Sequence, residues 1–522
     1  MKEGIGWVHL LSTHVNNDIN MKKLLLPTLF ILFCINAYTQ QRGSDREMHK
    51  ATIESFEVLK ELLAIPNDAN HPEDILKNIE WVESNMSDLE FTTQRLETET
   101  VPLILASYKE KKPNQKTIMY YFHIDGQPVD PQFWFQDDPY KAVLKEQVEG
   151  EGWVDIDWNK LINEDIDPEW RIFARSASDD KSPFIMFLTV MKLIKEKGES
   201  LPFNLKVILD FEEEKGSPRL AGAVEKNKEA LAADMLLIFD GPKHISNQPT
   251  ITYGARGITT ISIKVYGPTF PLHSGHYGNY APNPALRLAQ LLSSMKDEYG
   301  RVTIPGFYDG VVIDDATREI LAQVPDNENE FRVKLGIGNI DKVGANYQES
   351  IQYPSLNIRG MGSGWIGSEA RTIVPATATA EIDIRLVPET PPQRQVELVK
   401  QHIIDQGYLV LNRKPTSIER FQNPKICQFT NSRAYEAFRT ELDSPIGNMV
   451  YEAIKAEFGQ EPVRVRILGG SVPISPFIKS LGVPAVIVPL VNSDNNQHSP
   501  NENLRIGNYF DGIRTFRGLL KE

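Results

Sequence analysis

From residue 49 onward the apolar positions fall into two rhythms. Residues 49–65 and 73–86 carry them at helical spacing, the first run stopping at Ile65-Pro66. Residues 91–96 and 103–108 read as a pair of strands. Ile118-Met-Tyr-Tyr-Phe-His123 is β-branched and aromatic throughout, so it predicts a buried strand, closed by Asp125-Gly126. A well-buried helix over Pro183–Lys197 follows, then a strand at 204–211, a helix at about 218–231 and a strand at 235–240. Strands alternating with helices predict an α/β fold with a central mixed sheet flanked by helices. A second block, with strands at 259–266, 378–387 and 408–412 and helices at 284–298 and 391–406, predicts a smaller α/β domain inserted into the first. The expected division is 40–258, the insert 259–415, and 416–522, where apolar strands at 463–468 and 484–490 return to the main sheet. Between Asp130 and Arg171 the periodicity lapses, while Trp134, Trp153, Trp158 and Trp170 accumulate. That is long for a loop, so a function or a small structure of its own is expected there.

Composition narrows the partners. With 56 Lys and Arg against 70 Asp and Glu, the formal charge is −14, and no basic block suits a phosphate backbone. Nucleic acid is not an expected partner. From Met21 a short positive start leads into an apolar run ending near Ile35, and polar residues follow at 36–40. This predicts a signal region over 1–39, with Met21 as the start, and a secreted or periplasmic protein with no stable membrane span after cleavage. Of the two cysteines, Cys34 and Cys427, only the second would survive, so no intrachain disulfide is expected.

The chemistry collects at strand ends. Residues two apart on a strand share a side, so His123 and Asp125 can present an imidazole beside a carboxylate that orients it. Four further clusters sit after apolar strands or before a helix: Arg175–Ser182 with Asp179, Asp210–Ser217 with Glu213 and Glu214, Phe239–Pro242 with Asp240, and Asn496–Glu502 with His498. Singly, each has a plainer reading as a helix cap or a solvated turn. Together they bring His123, Asp179, Glu213, Glu214, Asp240 and His498 to one edge of the sheet. Two imidazoles and several carboxylates suit zinc and tolerate manganese or cobalt. They exceed the needs of one tetrahedral ion. Two divalent ions about 3.5–4 Å apart, sharing a carboxylate and a bridging water, would use them all, with the neighbouring glutamate as proton acceptor.

In order, the segments HIDGQP, SASDDKSP, EEEKGS, FDGP, ITYGARG, LHSGHYG, IDIRLVP, ILGGSVP and QHSPNE resemble the zinc aminoacylase/carboxypeptidase superfamily of co-catalytic metallohydrolases, and within it the carnosinase-like dipeptidases. The resemblance implies one zinc on His123 and Asp240, a second on Glu214 and His498, and Asp179 bridging both. It implies Glu213 as general base and Asp125 as the partner that orients His123. It also implies that His273, on the lid, reaches a partner subunit's site to stabilise the oxyanion, so that the protein is a homodimer. Arg385 would grip the substrate carboxylate, with Ser471 and the glycines before it, including Gly470, at the same end. The implied activity is hydrolysis of dipeptides or short peptides with a free carboxylate. An N-acyl amino acid amidohydrolase and a non-catalytic binding protein of the same fold are the alternatives. The chain departs from the pattern in having Ala174-Arg175-Ser176 before the bridging aspartate, Ser182 where glycine is commoner, and a longer span between His123 and Asp179.

Overall fold

The computed structural model describes residues 45–109, 112–163 and 165–521. The expected signal region 1–39 lies outside them. Residues 45–51, all helical, belong to one unit, and residues 52–522 form the other. Among the described residues no helix is long and apolar enough to cross a membrane.

The larger unit is built on an eight-stranded sheet. Its strands are β1 (Phe91–Leu96), β2 (Leu103–Tyr108), β3 (Thr117–His123), β4 (Asn204–Asp210), β5 (Met235–Ile238), β6 (Thr250–Thr252), β7 (Val463–Val465) and β8 (Ala485–Ile487). They lie side by side in the order β1-β2-β4-β3-β5-β8-β6-β7. The centre of the sheet, β4, β3, β5 and β8, is parallel, and antiparallel pairs join β1 to β2, β2 to β4 and β8 to β6. Every residue of β3 is buried, as a strand covered on both faces requires. Helices α1 (Lys181–Lys197) and α2 (Ile506–Leu519) pack against each other on one face. There Phe122 stacks on Phe239 at 5.1 Å and Phe239 meets Phe516 at 4.5 Å. Burying each such ring contributes about 1.5–3 kcal/mol, so this cluster anchors the strand that ends in His123.

A second, five-stranded sheet runs in the order 355–362, 377–386, 257–266, 426–435, 409–411. Its strands are antiparallel except 409–411, which runs parallel to 426–435. Ile261, Ile263, Ile382 and Ile384 pack with Leu288, Val399 and Ile403 from the helices above it. The long strand Ile426–Tyr435 lies beyond residue 415, where the sequence reading ends the insert. Its polar run Gln-Phe-Thr-Asn-Ser carries no apolar alternation to announce it.

The Trp-rich segment has a structure of its own. Strands 143–148, 152–155 and 171–173 form a small antiparallel sheet with 503–505. Arg171 donates to Asp494 at 2.6 Å and to Asn503 at 2.9 Å, and the Phe135 amide donates to Asn501 at 2.7 Å. The segment therefore braces the loop that carries His498.

Candidate metal centre

The parallel strands β3, β4 and β5 end together, and their C-terminal ends deliver the site. His123 closes β3 opposite Asp210, the last residue of β4. The turn after β4 presents Glu213 and Glu214, and Asp240 follows β5. Asp179 lies just before α1. His498 reaches in from the loop after β8, its backbone in the left-handed region at φ 61°.

At the centre the Asp179 carboxylate is divided between two histidines. Its Oδ1 lies 2.9 Å from His123 Nε2, and its Oδ2 lies 3.2 Å from His498 Nε2. Asp240 Oδ1 stands 4.0 Å from His123 Nε2, and Glu214 Oε2 stands 3.1 Å from His498 Nε2. Two triads result, His123–Asp179–Asp240 and Asp179–Glu214–His498, each with its donor atoms within 4.8 Å of one another. Behind them Asp125 Oδ1 faces His123 Nδ1 at 3.5 Å. The same carboxylate accepts the amides of Glu213 at 3.1 Å and Glu214 at 3.0 Å. One aspartate thus fixes both the histidine and the turn that carries the two glutamates. That turn closes at Gly216, whose φ of 82° and contact with the Tyr435 hydroxyl leave no room for a side chain.

The charges in this cluster need a cation. Burial lifts Asp240 to about 6, with Asp179 and Glu214 adding to the rise and His123 opposing it. Burial likewise pushes Glu213 well above the carboxylate range, and Asp240, Glu214 and Asp125 add to that. Burial favours the neutral acid of Asp179 too, but His123 and His498 on either side outweigh it and hold Asp179 low. Burial acts to lower His123, yet Asp125 and Asp179 hold it well above the imidazole range, and hydrogen bonds donated to Asp179 and Glu214 raise His498 to about 11. The N/O donor set of the two triads fits a divalent ion, which would replace protons on the histidines as it bound.

A profile of peptidase family M20/M25/M40 matches residues 119–522, which takes in the whole constellation from His123 to His498. The chain belongs to peptidase family M20/M25/M40. Among its relatives, Cys-Gly metallodipeptidase dug1 of Schizosaccharomyces pombe is 28% identical over 422 residues, 80% of this chain and 81% of that one. The beta-Ala-His dipeptidase of Homo sapiens is 26% identical over 430 residues, 81% of this chain and 78% of its own. The M20 family metallo-carboxypeptidase Sso-CP2 from Sulfolobus solfataricus superimposes with a TM-score of 0.72 at 27% identity, covering 90% of this chain and 98% of that one. This M20 chain is therefore a metallopeptidase with the α/β architecture, inserted lid included, that its sequence predicts. The expected secreted or periplasmic location is corrected by the same relatives: the yeast Cys-Gly metallodipeptidases count against export.

The remaining predicted residues form a separate group. Arg385 Nη1 donates to Ser471 Oγ at 2.7 Å, and Gly470 contributes its carbonyl to the Arg256 amide at 3.2 Å. His273 makes no hydrogen bond or ion pair with either group. It is exposed on a short antiparallel pairing with the sequence-distant strand 373–374, its Nδ1 accepting the Gly275 amide at 3.1 Å and its ring 4.8 Å from that of His276.

Several M20 residues escape a reading of the sequence. Glu502 is fully buried and accepts from the amides of Ser176, Ser178 and Asp179 and from Arg175 Nη1 at 2.7 Å, so it shapes the approach to Asp179. Asp180 accepts the His123 amide at 3.3 Å. Asn67 donates to the Ile124 carbonyl and to Ser176 Oγ. Glu502 and Asp180 lie within the segments QHSPNE and SASDDKSP, the one sequence signal for either.

Proposed function

We propose that this chain is a two-metal dipeptidase that cleaves amide bonds of dipeptides or short peptides bearing a free carboxylate. The observation that carries the reading is the sharing of one carboxylate, Asp179, between two histidine–carboxylate pairs. His123 and Asp240 would hold one ion and Glu214 and His498 the other. Zinc is the first choice, ahead of manganese or cobalt. When bound, such ions polarise the scissile carbonyl and bring the pKa of a water to about 7. Glu213 takes the proton of the attacking water and returns it to the leaving amine, a role suited to a carboxyl whose surroundings raise its proton affinity. Asp125 keeps His123 oriented. Arg385 and Ser471, already hydrogen-bonded to each other, receive the substrate carboxylate beside Gly470.

The chain works as a homodimer in this reading, with His273 serving the partner subunit's site. Two features support it: His273 is exposed and makes no hydrogen bond or ion pair with the cluster of its own chain, and the edge strand Ser355–Gly362 of the second sheet leaves Ile358 and Met361 exposed. The division that goes with it is a lid of residues 257–435 within a main domain of 52–256 and 436–521.

The test is amino-acid release from Cys-Gly, β-Ala-His, other dipeptides and N-acyl amino acids by metal-stripped protein reloaded with zinc or manganese. Dipeptides are expected to be cleaved in preference, and Glu213→Gln is expected to lower kcat by about 10²–10⁴-fold while metal content stays unchanged. Turnover confined to the N-acyl amino acids would replace the dipeptidase with an acylase.

A further inference from the structure

Away from the metal cluster, a cavity of about 820 Å³ lies between the β6/β7 edge of the large sheet and residues 296–356. Its size is that of a small-molecule site. The walls are mainly apolar, with Phe331, Leu335, Ile337 and Ile351 among them, and none of His123, Asp179, Glu213, Glu214, Asp240 or His498 lines it. Two buried polar side chains on the wall are left incompletely bonded. Arg256 is 7% exposed; its Nη2 donates to the Tyr353 carbonyl at 2.7 Å and to Ser355 Oγ at 3.1 Å, while its Nε has no acceptor. Among the described residues no carboxylate forms an ion pair with this guanidinium. Gln348 is 4% exposed; its Nε2 donates to Asp326 at 2.8 Å, while its Oε1 has no donor.

Asp383 acts on Arg256 only through its longer-range charge, opposed by Arg385; a buried guanidinium nitrogen without an acceptor and a buried acceptor without a donor are each costly unless something fills them. The matching ligand carries a carboxylate for Arg256, an N–H donor for Gln348 and an apolar body for the walls. We propose that this cavity binds an apolar α-amino acid, at a site separate from the metal cluster. The assignment rests on the cavity's own side chains and does not depend on the hydrolase reading. It has a route to the substrate end of the molecule. The Arg256 amide donates to the carbonyls of Leu468 and Gly470, Gly469 is part of the wall, and the next residue but one is Ser471, the partner of Arg385.

Calorimetric titration of the metal-loaded full chain with L-phenylalanine tests the proposal. Saturable binding is expected, weakened about tenfold or more in Arg256→Met and in Ile351→Trp, which fills the cavity, and kept in Arg385→Met. 3-Phenylpropanoate, which lacks the amine, is expected to bind more weakly than phenylalanine. Should Arg256→Met fail to fold, Ile351→Trp and nuclear Overhauser contacts from the ligand ring to isoleucine methyls in the unaltered chain decide the matter. Absence of saturable binding overturns the proposal. So does binding that Arg385→Met abolishes and Ile351→Trp leaves intact, because the amino acid would then occupy the substrate anchor.

Discussion

At the scale of single residues, the arrangement depends on which groups hold protons and which are free to hold an ion. In the metal-free protein His498 is raised to about 11, so it is protonated at neutral pH, and Asp240 loses its proton near 6. An ion that takes His498 as ligand must displace that proton, so its affinity climbs as pH rises. Between pH 6 and 8, above Asp240 and below His498, the gain is at least about tenfold per pH unit for the one proton released from His498. Chelator competition with zinc at pH 6, 7 and 8 checks this, and an affinity flat across that range would mean that His498 is not a ligand. The six site residues at the strand ends could be read from the sequence because each stands beside a turn after an apolar run or at a helix start. Glu502, Asp180 and Asn67 could not, since they act through partners far away in the chain that no local spacing marks.

At the scale of elements, loops are held by loops. The Arg175–Asp179 approach hangs on Glu502, and the His498 loop is braced by the Trp-rich segment through Arg171 and Asn501. Replacing Glu502 by glutamine sets an amide NH2 against backbone donors and removes the buried partner of Arg175. Breaking such a pair costs about 3–5 kcal/mol. The variant is expected to melt at lower temperature and to bind zinc more weakly, measured by thermal unfolding with and without the metal; unchanged melting would mean that Glu502 does not organise the loop. Strands 103–108 and 117–123 are legible because each is an apolar run bounded by turn residues, and 91–96 is legible as the partner that pairs back on 103–108. Strands 355–362 and 426–435 are not. The first is largely exposed and carries two glycines, and the second is polar along much of its length, so their pairing comes from the sheet rather than from local pattern.

For the whole molecule, the sheets divide the work: the eight-stranded one gathers the candidate metal ligands, the five-stranded one carries Arg385, and a separate two-stranded pairing carries His273. The proposal that His273 of one subunit acts in the other predicts complementation. Mixing Glu213→Gln chains with His273→Ala chains is expected to restore activity to about a quarter of the unaltered protein's, because half of the dimers are mixed and each mixed dimer has one intact site. Activity that stays at the sum of the two separate variants would mean that His273 does not act in the partner subunit's site.

The most direct measurement is zinc binding to metal-stripped protein, followed as ions bound per chain alongside hydrolysis of Cys-Gly, in the unaltered chain and in Asp179→Ala. The shared carboxylate predicts two ions per chain, activity that develops with them, and loss of both tight sites together when Asp179 is removed. One ion per chain, or two ions still tightly held without Asp179, would contradict the bridged pair.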